Sequence, residues 1–166
     1  MLSAELVARA KKIKLVVTDI DGVWTDAKMY YTADGELMKA FSTYDGMGTY
    51  LLKQAGIPTA IISGENSLPV AARAKKLKLE DVFLGIKDKL EVLKQLLDKY
   101  DLHADEVAYI GDDVNDYEVM QVAGLTASPS STPAFHILKP HILLDRAGGD
   151  GAFREFADLI LSSRKS

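Results

Sequence analysis

The stretch that decides the fold is KIKLVVTDIDGV, residues 12–23, in which a short apolar run ends in two aspartates and a glycine. A nearly continuous apolar run of this length is typical of a strand buried on both faces of a parallel sheet. Asp19 and Asp21 are two positions apart, so in an extended chain their side chains point to the same side. Gly22 leaves room for a close backbone approach. The stretch therefore predicts a buried parallel strand that ends in two carboxylates.

Outward from this strand, apolar runs alternate with segments of helical period, which is the pattern of repeated βαβ units. Buried strands separated by amphipathic helices predict an α/β fold, a doubly wound, Rossmann-like parallel sheet covered on both faces. We interpret residues 1–166 as a single domain. The predicted strands are residues 14–20, 57–63, 81–85 and 106–112, and the predicted helices are residues 49–56, 70–77, 89–100, 119–124 and 151–163.

One segment, residues 23–41, interrupts this alternation. It carries alternating aromatic residues on either side of Ala33-Asp34-Gly35, which predicts a β-hairpin flap with an Asp-Gly turn. A two-stranded hairpin with this many apolar side chains is marginal alone. Pairing with another subunit and packing on its own core are both possible outcomes.

Composition limits the classes of function. The chain has 166 residues, 48% of them hydrophobic, with a net charge of −4 and no cysteine. The absence of cysteine excludes thiolate metal sites and is compatible with a reducing cytoplasm, where we expect the protein to work. No basic stripe accompanies aromatic residues, which argues against a nucleic-acid partner. No run of eighteen apolar residues or leader-like segment is found, so we predict no membrane association.

A second acidic cluster follows another apolar run, in EVAYIGDDVNDYEVM, residues 106–120. Asp112, Asp113, Asn115 and Asp116 bring oxygen ligands to a second strand end, where in such folds ligands bind. Oxygen ligands without nearby histidine or cysteine suit Mg²⁺ better than zinc. Helix capping by an aspartate and, for Asp19 and Asp21, a solvated strand end are the alternatives. Both clusters together favour a magnesium site.

Two further strand ends offer groups suited to phosphate. Ser63 and Gly64 follow the strand at residues 57–63 and would present a hydroxyl and backbone amides to an anion. Lys87 and Lys89 lie where a helix begins, a position that the helix dipole disfavours for cations. Of the two, we select Lys89 to neutralise a phosphate. A helix-capping serine and a solvated lysine are the alternatives.

The residues so far identified resemble the four motifs of the haloacid dehalogenase-like phosphatases. The motifs appear in order, as DIDGV at 19–23, Ser63, Lys89 and GDDVND at 111–116. The resemblance implies that Asp19 is a nucleophile that forms an aspartyl-phosphate and that Asp21 is the general acid and then base. It implies that Mg²⁺ is held by Asp19, the Asp21 carbonyl and Asp112, and that Ser63 and Lys89 bind the phosphoryl group. Asp113 and Asp116 would support the metal ligands.

Within that family the chain resembles the group that lacks a cap domain and contains 3-deoxy-D-manno-octulosonate 8-phosphate phosphatase. The resemblance implies a homotetramer whose hairpins pair between subunits. It also implies that the tail RAGGDGAFREF, residues 146–156, lies near a neighbouring subunit's active site. A flexible loop before the last helix is the alternative for the tail.

The resemblance implies a small-molecule substrate, the phosphate ester of a 3-deoxy-2-ulosonic sugar acid. Relatives that act on the eight-carbon acid carry arginine after the Ser/Thr-Gly pair, whereas this chain has Glu65. Glutamate resembles the branch that acts on the nine-carbon 2-keto-3-deoxy-D-glycero-D-galacto-nononate 9-phosphate, which we expect to be the substrate, with the eight-carbon ester as the alternative. Helix-start glutamate is the non-functional interpretation. The acid end of the substrate would meet Arg73 and Lys76, with surface charge as the alternative for Lys76.

The loop ahead of the next predicted helix would line the same pocket. It contributes Ser42, Thr43, Asp45 and Gly46, although Tyr44 stands where relatives often carry arginine. Two non-enzyme interpretations stay open at this point, a receiver-like signalling domain and a catalytically silent scaffold of the same fold. The DxDG start with a late GDDxxND fits a receiver domain poorly, and every catalytic side chain that a silent scaffold would have lost is present.

Overall fold

The computed structural model describes residues 3–165 and places a six-stranded parallel sheet at their centre. The strands follow the order β5-β4-β1-β6-β7-β8, and a separate antiparallel pair, β2 and β3, forms the hairpin. The Rossmann-like α/β prediction is confirmed. The strands are β1 (Leu15–Thr18), β2 (Tyr30–Thr32), β3 (Gly35–Met38), β4 (Thr59–Ile62), β5 (Asp81–Phe83), β6 (Val107–Ile110), β7 (Leu125–Ser128) and β8 (Ile142–Leu143).

Strand β1 lies at the centre of the sheet, and all four of its residues are buried. Val17 pairs with Ala60 of β4 on one side and with Tyr109 of β6 on the other. After β1 the chain builds outward through β4 and β5, and then returns to the other side of β1 to form β6. The strand order therefore reverses at β1, so the carboxyl ends of β1, β4 and β6 form a crevice suited to a ligand.

Helices cover both faces of the sheet and divide the core into two layers. Helices α1, α2, α3 and α7 pack on the face that carries Val16 and Ile61, while α4, α5 and α6 pack on the face that carries Val17 and Tyr109. The helices are α1 (Ala4–Lys12), α2 (Thr43–Gln54), α3 (Leu68–Lys76), α4 (Lys89–Tyr100), α5 (Tyr117–Val122), α6 (Phe135–Leu138) and α7 (Ala152–Ser163).

Polar residues set the ends of the long helices. Asp88 caps α4 by accepting a hydrogen bond from the backbone N–H of Glu91 at 2.9 Å. The same helix ends at Asp101, whose φ of 51° is left-handed. Ser67 caps α3 in the same way, through the N–H of Val70. These caps satisfy backbone groups that a helix leaves unpaired, so the helix that carries Lys89 begins at that residue.

The predicted hairpin is present, with shorter strands than the range 23–41. Its turn ends at Gly35, whose φ of 113° suits glycine. Val23 and Trp24 belong to the core instead, because Trp24 is buried and its ring centroid lies 5.1 Å from that of Phe153. The hairpin exposes apolar side chains on β2 and β3, namely Tyr30, Tyr31, Leu37 and Met38.

Within residues 3–165 no helix has both the length and the apolar character that a membrane span requires.

Candidate active site

A cavity of about 190 Å³ opens at the carboxyl edge of β1, β4 and β6. Side chains from all of the predicted motifs except the lysine meet at this cavity or directly beside it. Two residues of the β1–β2 connection, Ala27 and Met29, also line the cavity and were not predicted as site residues. The lining residues are Asp19, Asp21, Ala27, Met29, Gly64, Glu65, Asp112, Asp113 and Asn115.

Asp19 lies one residue beyond β1, and its carboxylate is held on both oxygens. Oδ1 accepts a hydrogen bond from the N–H of Ile20 at 2.7 Å, and Oδ2 lies 2.8 Å from Nζ of Lys89. Burial and the nearby carboxylate of Asp116 raise the pKa of Asp19 well above its ordinary value, against the opposite effect of Lys89. The position thus combines a fixed carboxylate with a cation beside it.

Asp112 approaches the same point from the end of β6. Burial first, and then the carboxylates of Asp116 and Asp113, raise its pKa to about 7. Its side chain lies over Gly22, since a β-carbon at Gly22 would come within 1.7 Å of Oδ2. The carboxylates of the two predicted clusters are therefore packed around a backbone position that only glycine can occupy.

Asp116 supports this arrangement through hydrogen bonds that both of its carboxylate oxygens accept. Its Oδ1 accepts hydrogen bonds from Nζ of Lys89 at 2.7 Å and from the hydroxyl of Tyr109 at 2.5 Å. Its Oδ2 accepts from the backbone N–H groups of Asp112 and Asp113. Asp116 thereby positions Lys89 and the loop that carries Asp112, while its predicted support of a metal stays a prediction.

The residues fit a divalent cation. One carboxylate oxygen from each of Asp19, Asp112 and Asp116 lies within 4.8 Å of the others, and all three residues are buried. Within residues 3–165, Lys89 is the one cation that forms an ion pair with any of the three, through Asp19 and Asp116. The raised pKa values of Asp19 and Asp112 show that repulsion and burial are not fully offset by that lysine. A hard cation with oxygen ligands would relieve both effects.

Ser63 and Gly64 lie at the end of β4, as predicted. The backbone of Ser63 is anchored by hydrogen bonds with Phe83 and Ile86, but its buried Oγ has no hydrogen-bond partner within residues 3–165. Such an orphaned hydroxyl is costly unless a ligand completes it. Next to it, Gly64 faces the side-chain amide of Asn115, 3.7 Å from the place of a β-carbon. Ser63 is therefore available to an anion.

Asp113 lies at the rim of the cavity and is exposed. Its Oδ1 accepts a hydrogen bond from the N–H of Val114 at 2.7 Å, and it caps the short 3₁₀ turn at residues 114–116. The capping alternative considered for this cluster is thus realised at Asp113. A supporting role in metal binding would act through the shape of this turn.

Sequence reasoning missed Lys39, whose side chain is completely buried next to Asp21. Its Nζ forms an ion pair with Oδ1 of Asp21 and lies 3.2 Å from Oε1 of Glu36. Burial acts to lower the pKa of Lys39, but the two carboxylates outweigh it and the pKa is raised. No motif marks this lysine in the sequence. The signal that could have found it is a lysine at the end of the second hairpin strand, four residues after Gly35, in the hairpin that follows the DxDG motif.

The structure places the predicted substrate-binding residues in three different surroundings. Glu65 is exposed, lines the cavity, and within residues 3–165 has no side-chain hydrogen bond or ion pair. Arg73 is half-buried on α3, where its Nη2 donates to the carbonyl of Ser42 at 3.4 Å and its guanidinium lies 5.9 Å from the Phe41 ring centroid. Lys76, at the end of α3, lies on a different cavity. Lys76 does not line the cavity that Glu65 lines, and its role in holding the acid end of a substrate stays a prediction.

The loop at residues 42–46 does not line this cavity and makes structural contacts, and its role in substrate binding stays a prediction. Ser42 caps α2, and Thr43 begins that helix at an exposed position. Gly46 makes room for Arg73, since a β-carbon there would lie 2.7 Å from Nη2. Asp45 is buried and accepts a hydrogen bond from the N–H of Arg154 at 2.9 Å, which joins the starts of α2 and α7.

The tail at residues 146–156 packs on the loop that follows β1 in its own chain. A β-carbon at Gly148 would lie 2.0 Å from the carbonyl oxygen of Gly22, and the N–H of Gly149 donates to the carbonyl of Val23 at 3.1 Å. The glycines thus permit a close backbone approach. The surface they approach lies within the same chain, and α7 follows directly.

Comparison with known proteins agrees with this geometry. Residues 44–124 match the model of the haloacid dehalogenase-like hydrolase family. The 3-deoxy-D-manno-octulosonate 8-phosphate phosphatase KdsC of Escherichia coli K12 is 35% identical over 160 residues, which cover 96% of this chain and 85% of that protein. The KdsC of Yersinia pestis is 36% identical over 157 residues, 95% of this chain and 84% of that protein.

Solved structures are equally similar. The phosphatase from Moraxella catarrhalis, in complex with magnesium, phosphate and a KDO molecule, has a TM-score of 0.93 and 36% identity, covering 99% of this chain and 94% of that one. A probable YrbI family phosphatase from Pseudomonas syringae has a TM-score of 0.92 and 44% identity, covering 98% and 92%. With the paired aspartates, the lysine and the serine in place, this chain belongs to the haloacid dehalogenase-like hydrolases and is a phosphoric monoester hydrolase.

Proposed function

We propose that this protein hydrolyses the phosphate monoester of a 3-deoxy-2-ulosonic acid with Mg²⁺ as its cofactor, through an aspartyl-phosphate. The observation that carries the proposal is the carboxylate of Asp19, fixed 2.8 Å from Lys89 and packed with Asp112. Magnesium, held by Asp19, Asp112 and the Asp21 carbonyl, would supply positive charge that offsets charge on the phosphoryl oxygens.

In the first step, a carboxylate oxygen of Asp19 attacks phosphorus. A P–O bond to Asp19 forms while the ester P–O bond breaks, and Asp21 gives its proton to the departing alkoxide. In the second step Asp21, now ionised, takes a proton from the water that attacks the phosphoryl group. Inorganic phosphate leaves and Asp19 is restored. Asp21 lines the cavity beside Asp19, which suits both proton transfers.

Ser63 and Lys89 hold the group that is transferred. The unpartnered hydroxyl of Ser63 can donate to a phosphoryl oxygen without breaking another hydrogen bond. Lys89 stays cationic, since its two carboxylate partners raise its pKa although burial alone would lower it. Positive charge is thereby fixed where charge accumulates in phosphoryl transfer.

Similarity to the relatives supports the eight-carbon ester, 3-deoxy-D-manno-octulosonate 8-phosphate, as the substrate. KdsC proteins that act on it by name align with nearly the whole chain. This favours the alternative considered in the sequence analysis over the nine-carbon ester expected there.

The nine-carbon ester is a second candidate because of Glu65. Its free carboxylate lines the cavity, where it would repel a substrate carboxylate and accept hydrogen bonds from sugar hydroxyls. Arg73 has a buried Nε without a hydrogen-bond partner, and a shift of its side chain from Ser42 would present a bidentate donor to a carboxylate. One such residue changes the preference by only a few kcal/mol.

Turnover of the two esters decides between them. We would measure kcat/KM for the eight- and nine-carbon acid phosphates with wild type and Glu65→Arg. Preference for the eight-carbon ester in wild type supports the first candidate, and preference for the nine-carbon ester that Glu65→Arg reverses supports the second. Hydrolysis of neither ester, with phosphate release from p-nitrophenyl phosphate intact, would exclude this substrate class and retain the phosphatase.

We also propose a homotetramer in which the hairpins pair between subunits. The exposed apolar side chains of β2 and β3 support this, with Tyr31 and Leu37 each more than half exposed. Light scattering on wild type and on Tyr31→Lys/Leu37→Lys tests it, with Val122→Lys on exposed α5 as the control. We expect a tetramer that only the hairpin variant dissociates, and a monomeric wild type would refute the proposal. The cytoplasmic location stays a prediction.

A further inference from the structure

Lys39 connects the hairpin with the carboxyl group that exchanges protons in the proposed reaction. It follows β3 directly, and its Nζ contacts Oδ1 of Asp21 and lies 3.2 Å from Oε1 of Glu36, on β3. Glu36 in turn accepts a hydrogen bond from the hydroxyl of Ser67, the residue that caps α3. A chain of polar contacts thus runs from α3 through the hairpin to Asp21.

The burial of these groups shows that the contact is part of the packed structure. The Lys39 side chain is 0% exposed, whereas the Asp21 side chain keeps 23% of its surface open. A buried ammonium without carboxylate partners is strongly disfavoured, so Lys39 must keep its ion pairs. Asp21, in contrast, still faces the cavity. The ion pair with Lys39 therefore orients the Asp21 carboxylate from the side opposite the cavity.

The two oxygens of Asp21 consequently differ. Oδ1 is engaged by Lys39, and within residues 3–165 Oδ2 has no hydrogen-bond or ion-pair partner. A proton donor in a reaction of this type must place one oxygen within hydrogen-bond reach of the leaving group. A partial rotation of the carboxyl about its Cβ–Cγ bond, which the contact with Lys39 opposes, would remove that alignment.

We propose that Lys39 is a positioning residue, which fixes Oδ1 of Asp21 so that Oδ2 is the oxygen that exchanges protons with the leaving alkoxide and the attacking water. The inference rests on the proposed function and adds a residue to its machinery. It also makes Glu36 and Ser67 part of the support for Asp21, since they hold Lys39 in place.

Leaving-group dependence separates this role from a merely structural one. Departure of an alkoxide needs a proton from Asp21, whereas p-nitrophenolate leaves without one. Breakdown of the aspartyl-phosphate needs Asp21 as a base with either substrate. A misplaced Asp21 thus slows both steps with an alkyl phosphate but only the second step with p-nitrophenyl phosphate.

The test compares Lys39→Met with wild type on an alkyl acid phosphate and on p-nitrophenyl phosphate with Mg²⁺. We expect kcat on the alkyl substrate to fall about 10- to 100-fold with little change in KM, as for a misplaced catalytic group. On p-nitrophenyl phosphate we expect a burst of about one p-nitrophenol per site, then a slow steady state. Lys28→Met is the matched control, since Lys28 lies on the other side of the hairpin, before β2, is exposed and within residues 3–165 pairs only with Asp26.

A double-mutant cycle with Asp21→Asn completes the test. If Lys39 acts through Asp21, adding Lys39→Met to Asp21→Asn produces no further loss. A further loss of the full size, or Lys39→Met kinetics equal to wild type, would overturn the inference alone. Should Lys39→Met fail to fold, Lys39→Met/Glu36→Gln removes one charge of each sign and is measured in its place. A wild type without phosphatase activity would refute the proposed function, and this inference with it.

Discussion

A β-carbon at Gly22 would lie 1.7 Å from Oδ2 of Asp112, so the glycine of the first motif and the carboxylate of the last share one volume. The φ of Gly22 is also left-handed, at 79°. Two independent reasons, local backbone conformation and contact with a distant strand end, therefore require glycine at this position. The spacing of the DxDG motif reflects how closely Asp112 must approach β1.

Gly22→Ala should displace Asp112 and remove Mg²⁺-dependent turnover. The methyl group cannot coexist with the carboxylate where it lies, so the loop or Asp112 must move. Gly56→Ala is the control, because Gly56 has a φ of 76° with nothing within 4 Å of a β-carbon. Both variants should lose stability from the strained φ, and only Gly22→Ala should lose activity in a phosphate-release assay. Equal activity of the two variants would contradict the packing described here.

Asp19→Asn should abolish turnover and keep the fold. The amide has nearly the same volume and can still accept the hydrogen bond from Ile20, but it is not a nucleophile toward phosphorus. Phosphate release and circular dichroism are the measurements. Near-normal magnesium-dependent activity in this variant would refute the aspartyl-phosphate mechanism.

Mg²⁺ should stabilise the protein against heat, and chelation should reverse this and stop turnover. The cation would offset the crowding of buried carboxylates that raises the pKa values of Asp19 and Asp112. A ligand that binds only the folded state adds about 2.7 kcal/mol at a concentration 100 times its Kd. Thermal melts of wild type and Asp112→Asn, with and without Mg²⁺, measure the effect. A shift in Tm that Asp112→Asn retains in full would place the cation elsewhere.

Asp45 should make the fold less stable as the pH rises from about 4 to 6. Burial raises its pKa to about 6, although hydrogen bonds from the N–H groups of Arg154 and Phe153 act in the opposite direction. Between the unfolded and folded pKa values the folded state binds more protons, so the free energy of unfolding falls across this range and is flat above it. A shift of roughly two units corresponds to about 3 kcal/mol.

Asp45→Asn removes this titration while its amide oxygen can still accept from Arg154. The difference in free energy of unfolding between the variant and wild type should therefore grow in favour of the variant between pH 4 and 6. Urea unfolding at several pH values measures this difference directly, since other groups contribute equally to both proteins. A difference that stays constant with pH would show that Asp45 is not buried as described.

The apolar pattern sufficed for the strands next to the site, because β1, β4, β5 and β6 each contain consecutive β-branched or aromatic apolar residues. It missed β7, whose sequence LTAS alternates apolar residues with small polar ones, and β8, which has only two residues. It also missed α1, since Ala4–Lys12 was interpreted only as a segment that precedes β1. Hydrogen bonds to neighbouring strands create these short elements, and a single sequence does not display them.

The sequence predicts site residues that lie at the end of a single strand. It does not predict residues whose position results from contact between two distant segments. Asp19, Asp112 and Ser63 follow directly from the position at which a parallel strand ends. Lys39 reaches Asp21 only because the hairpin folds back, and Asp45 is withdrawn from the cavity only because α7 begins beside α2. Such contacts arise from tertiary packing, which the local pattern does not encode.

The contact of Gly148 and Gly149 with the loop after Asp21 also sets an order of events during synthesis. Asp19 and Asp21 leave the ribosome before the segment that supports their loop, and before the Phe153 ring that packs on Trp24. A nascent chain that already holds Asp19 and Asp21 therefore lacks the backing that keeps them in place. Hydrolysis should begin only after the segment that precedes α7 has been released and has closed over Gly22.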